Sequence, residues 1–575
     1  MTNKEIGKVF YQIAKILELQ NTNDRFRIVA YERAGGTLEN YPEDLHEIYK
    51  KNGLKGLCDI PGVGQSIAEK TEELIKTGKL KYLDEIKSEV PGSEIDFLNV
   101  PGIGPKTAVK IARELKAKDT DDLVKIIKAG KADKLFKEKT KANILRNIEI
   151  AKNLTGRMLI TDALPIAEDY VARIRKIPGV VAADFVGSLR RMKETIGDID
   201  IVAASREPKK VILEFNKFPG VNQIMTSGET KSTIIHEQGA QIDLEIVPEA
   251  EYGSLLQHFT GSKEHNVALR TYAQTKNLSI SEHGIKVGGK LETFKTEKDM
   301  YEYLKMDWIT PELRENTGEI EAALGRKLPN LIEQTDIRGD LHVHSTWSDG
   351  KMTISEIALE AERLGYEYIV VSDHTVGLGI AGGLDEQELE QRQKEIETVQ
   401  KAHPKLKLLS SVEVNIKASG DLDIRDSMLE QLDIVTASVH TSFFQNKEVM
   451  TARMIKAISH PHVDIIGHPS GRIIGRREPY DVDWNAIFEA CVKYNTALEI
   501  SSFPDRLDLK DTLCREAKKY GVRFAINTDS HQEGHLALMR YGVSVARRGW
   551  LTKNDIINTL NLNELMIYLK NGLKA

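Results

Sequence analysis

The sequence predicts a multidomain α/β protein with a helical N-terminal part, an α+β middle part and a parallel β/α barrel at the C-terminus. Three observations support this prediction. Apolar residues recur at helical spacing through the first 90 residues. Two segments, at residues 197–202 and 241–247, have the alternation of strands. After residue 336, apolar runs of strand length alternate with helical stretches, which is typical of β/α units.

Length and composition indicate an ordinary globular protein. The 575 residues suffice for several domains of roughly 100–200 residues each. Three scattered cysteines are too few for a disulfide framework, and no apolar run is long enough to span a bilayer. We therefore expect a cytoplasmic monomer that does not bind membranes. The net charge of −6 weighs against nucleic-acid binding, but residues 101–160 carry 15 basic and 7 acidic residues, which favours local phosphate contacts.

Two Pro-Gly-x-Gly segments open helices, one in residues 1–90 and one in residues 91–157. Glycines allow the backbone to approach a phosphate, and the helix that follows presents free N–H groups. A single such segment is usually only a turn. The pair resembles helix-hairpin-helix units, which implies a lyase-like first subdomain and a duplex-binding second one. The residues expected to contact DNA are Gly62, Gly64, Gly102, Gly104 and Lys106.

Carboxylates are placed close together on two predicted strands of residues 158–250. Asp198 and Asp200 are two residues apart and would face the same way, and Asp243 lies between apolar residues of the second strand. Such a trio suits two Mg²⁺ or Mn²⁺ ions about 3.5–4 Å apart. The alternative is a surface strand with exposed acids. The preceding segment, Gly187 to Arg191, is predicted to be a turn.

Gly187-Ser188 followed by Asp198-x-Asp200 resembles the nucleotidyltransferase palm of family X DNA polymerases, the family of DNA polymerase beta. The resemblance implies that Asp198, Asp200 and Asp243 hold the catalytic metals. It also implies that Asp243 helps to deprotonate the primer hydroxyl. The residues expected at the nucleotide triphosphate are Gly187, Ser188 and Arg191.

Residues 251–320 resemble the polymerase beta-like subdomain that binds the nascent base pair. His258, Phe259 and Gly261 would lie against the sugar and base of the nucleotide. Asn266 would contact the base in the minor groove, and Arg270 the template. His258 stands where polymerase beta has tyrosine, and Lys263 stands where it has aspartate, so sugar discrimination stays open.

Lys70, on the helix after the first hairpin, matches the lysine that forms a Schiff base with an abasic-site sugar in polymerase beta. That chemistry requires a lysine with a lowered pKa. The alternative is a phosphate-binding or solvated lysine, and Ser66 replaces a lysine of the family's lyase pocket.

Residues 321–336 are predicted to be a linker, and ten of the 15 histidines follow it in residues 337–575. In this part metal-ligand residue types recur at the ends of predicted strands. In a parallel barrel these ends meet on one face, so a shared metal site is expected. Imidazole and carboxylate together suit zinc, manganese or iron. The nine candidate ligands are His342, His344, Asp349, His374, Glu413, His440, His468, Asp529 and His531.

This ligand set resembles the PHP (polymerase and histidinol phosphatase) domain, which implies a distorted (β/α)7 barrel with up to three Mn²⁺, Zn²⁺ or Fe ions. Ions of this kind activate water for attack on phosphorus. Arg472 is a candidate phosphate clamp or a solvent-facing arginine.

Three functions are open from the sequence. In the first, the chain is a family X DNA polymerase that fills short gaps in base-excision repair. Its partners would be gapped or primer-template DNA and dNTPs, and its barrel would be a 3′→5′ exonuclease and candidate abasic-site endonuclease. In the second, the barrel is only a scaffold. In the third, the barrel is a small-molecule phosphoesterase fused to a DNA-binding arm.

Overall fold

The structure is a computed structural model, and it divides into two compact units that are described separately below. One comprises residues 1–155 with 475–477, and the other comprises residues 156–474 with 478–575. The structure describes the chain except residues 2, 20–24, 40, 42–43, 61, 89, 91–93, 95–96, 98–99, 101–102, 139, 146–147, 149–155, 379–380 and 572–575.

The N-terminal unit is helical in its described part. The apolar residues whose spacing predicts the first helix, among them Ile6, Phe10 and Ile13, are completely buried. This confirms the helical periodicity of the sequence. The helices are Asn3–Leu19, Arg25–Glu39, Leu45–Cys58, Gln65–Thr77, Lys81–Ser88, Pro105–Arg113 and Thr120–Lys128.

The second unit contains a five-stranded sheet. In spatial order its strands are β2 (Val180–Phe185), β4 (Ile199–Ser205), β7 (Gln241–Val247), β6 (Lys231–His236) and β5 (Val221–Ser227). Strands β4 and β7 are parallel neighbours, and the other pairs are antiparallel. The short β1 (Met158–Leu159) pairs with β3 (Thr195–Ile196) in a separate two-stranded sheet.

Strand β4 alternates between two apolar layers. Ile199 and Ile201 pack in the cluster that contains the helix Ile160–Arg175, whereas Val202 packs in the cluster that contains the helix Tyr252–Thr260. Because side chains alternate along a strand, Asp200 faces the same side as Val202. That side is covered by the predicted nucleotide-binding helix.

A mixed segment follows the palm sheet. It contains an antiparallel sheet of three strands, and its apolar core includes Leu269, Ile285 and Tyr301. Its strands are β8 (Leu278–Ser281), β9 (Gly284–Val287) and β10 (Lys290–Glu292). The helices of the palm and of this segment are Ile160–Arg175, Gly187–Arg190, Pro208–Phe215, Tyr252–Thr260, Lys263–Gln274, Glu297–Tyr303 and Glu319–Leu324.

The stretch predicted as a linker is packed rather than free. Ile332 is fully buried, and its N–H donates to the Leu551 carbonyl at 3.1 Å. Leu331 forms an isolated β-bridge with Thr552. Residues 331–332 therefore attach the palm side of this unit to the barrel.

The C-terminal part is a nearly closed barrel of seven parallel strands that follow one another in chain order. A parallel bridge between Val343 and Ser530 links its two ends. Leu565 of the last helix packs in the apolar cluster that includes strand residues such as Val370 and Ile434. The strands are β11 (Gly339–Asp340), β12 (Tyr368–Val371), β13 (Lys407–Asn415), β14 (Ile434–Ser438), β15 (Ile465–Ile466), β16 (Ala497–Ser501) and β17 (Phe524–Asn527).

Helices surround these strands, as the β/α alternation of the sequence predicts. They are Ile354–Arg363, Glu386–Ala402, Asp426–Leu429, Lys447–Ile458, Trp484–Tyr494, Asp511–Tyr520, Met539–Arg548 and Leu562–Asn571. None of the helices in the described part of the chain has the length and apolar character that crossing a membrane requires.

Candidate active sites

The three palm carboxylates are brought together by the sheet. Asp200 and Asp243 are direct register partners across the parallel pair β4–β7, and Asp198 lies just before β4 rather than within it. One oxygen of each carboxylate lies within 4.8 Å of the others. Asp243 accepts hydrogen bonds from the Thr233 hydroxyl and from the Gln241 amide. The three acids thus form a compact anionic site that a divalent cation fits.

Burial raises the pKa of Asp200 to about 7, and repulsion from Asp198 and Asp243 adds to the effect. A carboxyl with this pKa is half protonated near neutral pH when no cation is bound. At neutral pH, cation binding therefore favours ionisation of all three acids together.

From this pKa we expect the palm site to bind divalent metal about tenfold more weakly at pH 6 than at pH 8, because a proton competes for Asp200 below pH 7. The measurement is Mn²⁺ binding without nucleotide at both pH values, in a variant with His342→Ala and His344→Ala that lacks two barrel ligands. Equal affinities at both pH values would contradict this competition.

The Gly187–Arg191 segment is a short helix, Gly187–Arg190, and not the turn that was predicted. Gly187 has φ +63°, and a Cβ there would lie 2.5 Å from Asp200 Oδ2, so only glycine fits beside the carboxylate. Arg191 donates from Nε to Glu315 Oε1 at 3.0 Å and from Nη1 to the Thr260 carbonyl at 2.5 Å. The segment places Arg191 between the palm acids and the helix Tyr252–Thr260.

Four of the residues predicted at the nucleotide and the template form one group held by hydrogen bonds and by a contact between two tilted rings. Burial lowers the pKa of His258, with help from Arg270, whose Nη2 lies 3.2 Å from His258 Nδ1. Asn266 donates to the His258 carbonyl at 2.7 Å, and the His258 and Phe259 rings are 5.3 Å apart. Gly261 follows Phe259 by two residues and has φ +67°. A Cβ added to Gly261 would lie 3.1 Å from Arg191 Nη1.

The two hairpin helices start with the same backbone geometry. Gly64 and Gly104 precede them with φ/ψ of −77°/169° and −79°/167°, and neither helix has a side-chain cap. A Cβ added at either glycine meets no atom within 4 Å, so both approaches are open. Gly62 has φ +80°. Gly102 and the Lys106 side chain lie outside the described residues.

Lys70 lies in an environment that suits an amine nucleophile. Its Nζ donates to the Ser66 hydroxyl at 2.8 Å and lies 5.0 Å from the centre of the Tyr82 ring. Burial lowers the pKa of Lys70, and the neighbouring Arg27 adds to this. A lowered pKa increases the fraction of neutral, nucleophilic amine.

The nine predicted barrel ligands form one cluster at the C-terminal ends of the strands. Glu413 is its centre, with His374 Nδ1 at 2.9 Å, His468 Nε2 at 3.0 Å and His440 Nε2 at 3.3 Å. Eight of the nine have ligand atoms in three overlapping groups, and His468 joins the cluster through Glu413. Within each group the ligand atoms lie within 4.8 Å of one another: His344, Asp349, His374 and His531; His342, His344 and Asp529; His374, Glu413 and His440.

The donor set fits metal ions. The Nδ1 atoms of His344, His440 and His468 are buried and have no hydrogen-bond partner among the described residues. Burial lowers the pKa of His344 to about 4, and the neighbouring His531 and His374 contribute, so this imidazole is neutral and free to coordinate. Burial alone would raise the pKa of Glu413, but the surrounding imidazoles hold it well below its usual range.

Sequence reasoning missed Glu499, which supports the cluster from strand β16. Its Oε1 lies 2.7 Å from His342 Nδ1, and Oε2 accepts the His468 backbone N–H at 2.6 Å. A carboxylate on the far nitrogen orients a metal-binding imidazole. An acid inside the apolar segment Ala497–Ser501 was the available signal.

Arg472 does not face the cluster, and it does not face solvent either. It is 6% exposed, and its guanidinium donates to Glu194 Oε2 at 2.7 Å and to the Leu507 carbonyl. The arginine beside the ligands is Arg506, whose Nε lies 3.8 Å from Asp529 Oδ2.

The fold and these sites define a class: a palm that carries a carboxylate trio, joined to a barrel that carries a cluster of nine candidate metal ligands. Comparisons with known proteins agree. DNA polymerase/3′-5′ exonuclease PolX of Bacillus subtilis (strain 168) is 34% identical over 576 residues, covering 99% of this chain and 100% of that protein. The chain belongs to the family X DNA polymerases that carry a C-terminal PHP domain.

Two further relatives each match only part of this chain. DNA polymerase lambda of Rattus norvegicus is 26% identical over 54% of this chain and 56% of its own length. A probable phosphatase of Thermoanaerobacter sp. (strain X514) is 32% identical over 40% of this chain and 94% of its own length. The matching families are a helix-hairpin-helix domain (1–80), a SAM-like helix-hairpin-helix tandem (54–118), a DNA polymerase beta thumb (255–315) and a PHP domain (340–503).

Proposed function

We propose that the two metal centres of this DNA polymerase do opposite work on a DNA strand end. The palm adds deoxynucleotides across short gaps, and the PHP barrel removes nucleotides in the 3′→5′ direction. One observation supports this division more than any other. The palm acids and the barrel ligands form two separate clusters. One lies in a nucleotidyltransferase-like palm and the other in a PHP barrel.

In the palm, Asp198, Asp200 and Asp243 would hold two Mg²⁺ or Mn²⁺ ions. Such ions, when bound, neutralise the transferring phosphate and favour loss of the hydroxyl proton. Asp243 takes the primer hydroxyl proton on a carboxylate oxygen. Ser188 and Arg191 hold the triphosphate, because both lie on the segment that Gly187 places against Asp200.

Beside the palm, Phe259 and Gly261 bound the sugar, and Asn266 and Arg270 face the base pair. In this structure Asn266 and Arg270 bond to His258. Nucleotide binding exchanges these hydrogen bonds for bonds to the base and the template. In the free protein, His258 therefore holds the side chains of Asn266 and Arg270 in place.

In the barrel, the nine ligands would hold up to three ions of Mn, Zn or Fe, and an abasic-site endonuclease is an additional activity. A purely structural role for the barrel fits this ligand set poorly. The buried imidazoles of His344, His440 and His468 have Nδ1 atoms without a hydrogen-bond partner among the described residues. The match to a probable phosphatase favours small phosphomonoesters as a second candidate substrate.

The hairpins bind the DNA backbone without reading its sequence. A cytoplasmic, monomeric state stays a prediction.

The proposed function is tested with a 5′-labelled primer-template and Mn²⁺, with and without dNTPs. We expect longer products with dNTPs and shorter products without them. A parallel reaction with p-nitrophenyl phosphate tests the second candidate. A purified protein that neither lengthens nor shortens the strand contradicts the proposal.

We also expect Lys70 to be trapped covalently on DNA that carries an incised abasic site, when borohydride reduces the Schiff base. Lys70→Ala should reduce trapping by at least about tenfold. Lys76→Ala is the matched control on the same helix, because hydrogen bonding to Glu72 raises the pKa of Lys76. Equal trapping of Lys70→Ala and the wild type would contradict the assignment.

A further inference from the structure

The loop formed by residues 191–194 joins the two functional parts of the palm site. It begins at Arg191, after the helix Gly187–Arg190, and ends at Glu194, just before strand β3; β3 in turn ends two residues before Asp198. Its Glu194 carbonyl accepts the Ile160 N–H at 3.1 Å. Any movement of this loop therefore moves Arg191 relative to the palm carboxylates.

Arg548, the last residue of the barrel helix Met539–Arg548, holds the start of this loop. Its Nη1 donates to the Arg191 carbonyl at 2.9 Å and to Glu315 Oε1 at 3.2 Å. Its Nη2 donates to Asp511 of the barrel. One guanidinium thus bonds the backbone of Arg191 and the carboxylate that also accepts from the Arg191 side chain.

Arg472 holds the other end of the loop. Its Nη2 donates to Glu194 Oε2 at 2.7 Å and also to the Leu507 carbonyl. The side chains of Arg472 and Arg548 are 8% and 5% exposed. Charge-assisted bonds so far from solvent are short, directional and weakly screened. The barrel therefore fixes both ends of the loop through planar guanidinium groups, which lysine does not reproduce.

We infer that Arg472 and Arg548 are positioning residues for nucleotidyl transfer, through which the barrel holds Arg191 in place for the incoming nucleotide. The inference rests on the proposed role of the palm as the polymerase site. It gives the barrel a second task, independent of its own metal cluster. Neither arginine lies among the predicted metal ligands or palm carboxylates.

Arg548 would act by holding the Arg191 side chain in the position in which it contacts the nucleotide. Arg191 donates to Glu315 and to the Thr260 carbonyl, and Arg548 restrains both Glu315 and the Arg191 backbone. Without Arg548, the pair formed by Arg191 and Glu315 can turn together away from the nucleotide. The cost then appears mainly in nucleotide binding, because Asp200 and Asp243 keep their places on strands β4 and β7.

The test is steady-state primer extension by the full-length protein with Arg548→Met and Arg472→Met. We expect KM for dNTP to rise about tenfold in each, with a smaller change in kcat. Strand shortening by the barrel should be unchanged. Glu315→Gln is a second variant that keeps the shape of the side chain, and it should raise KM in the same way.

Arg547→Met is the matched control. Arg547 is the neighbouring residue on the same helix, and it bonds Glu312 at 2.7 Å and Glu333 at 2.6 Å, but not the 191–194 loop. Its KM should equal that of the wild type, with melting temperatures recorded for all variants. Equal KM increases in Arg547→Met and Arg548→Met would indicate general loosening and overturn the inference.

Failure is separable from failure of the proposed function. A wild-type protein that does not extend a primer overturns the polymerase assignment and this inference with it. A wild-type protein that extends normally, beside Arg548→Met and Glu315→Gln with unchanged KM, overturns only the positioning role.

Discussion

Primer extension should fall by at least about 1,000-fold when Asp200 is replaced with asparagine, while strand shortening continues unchanged. Asparagine keeps the size of the side chain and removes the charge that two cations share. Asp200 is half-buried, as Asp243 is, whereas Asp198 is exposed, and Asp200 is the direct register partner of Asp243. The measurement is the rate of single-nucleotide addition at saturating Mg²⁺, followed on a labelled primer.

Asp184→Asn is the matched control for this variant. Asp184 lies on the neighbouring strand β2, where it pairs with Arg175 at 2.7 Å and accepts from the Tyr252 hydroxyl at 2.6 Å, outside the trio. It should extend primers at close to the wild-type rate. Substantial extension by Asp200→Asn, or equal losses in both variants, would show that the trio is not the catalytic centre.

The period of two along a strand made the palm cluster predictable. Asp198 and Asp200 are two residues apart, and Asp243 lies in a second apolar strand segment. Pairing of the two segments is then enough to bring the three carboxylates together. That pairing is a tertiary event, and the parallel register of Asp200 with Asp243 became visible only in the structure. The short helix Gly187–Arg190 was missed because four residues give no periodic signal.

The barrel ligands were predictable for a topological reason. Parallel strands place their C-terminal ends on one face, so His342, Glu413 and Asp529 meet although they are far apart in sequence. Glu499 was not singled out, although it lies two residues before the end of a parallel strand, as Glu413 does. The contacts of Arg472 and Arg548 lie between the barrel and the palm, and no local pattern encodes which distant carboxylate an arginine will meet.

Glu413 is the carboxylate at the centre of the barrel cluster, and its loss should separate the two activities in the opposite sense. Glu413→Gln is expected to reduce strand shortening by at least about 100-fold and to lower the metal content of the purified protein. Glu413 lies within 3.3 Å of imidazole nitrogens of His374, His440 and His468. A neutral amide keeps the volume but supplies one weak acceptor where several cations would share a negative charge.

Metal content by elemental analysis and shortening of a labelled strand are measured on the same preparation, together with primer extension. Glu362→Gln is the control, because Glu362 also pairs with a histidine, His403 at 3.0 Å, away from the ligand cluster. It should retain its metal and its nuclease activity. Extension by Glu413→Gln should stay at the wild-type level, because the palm acids and the 191–194 loop have no bond to Glu413 among the contacts that the structure describes. Loss of both activities in this variant would mean that the ions of the barrel also serve the palm.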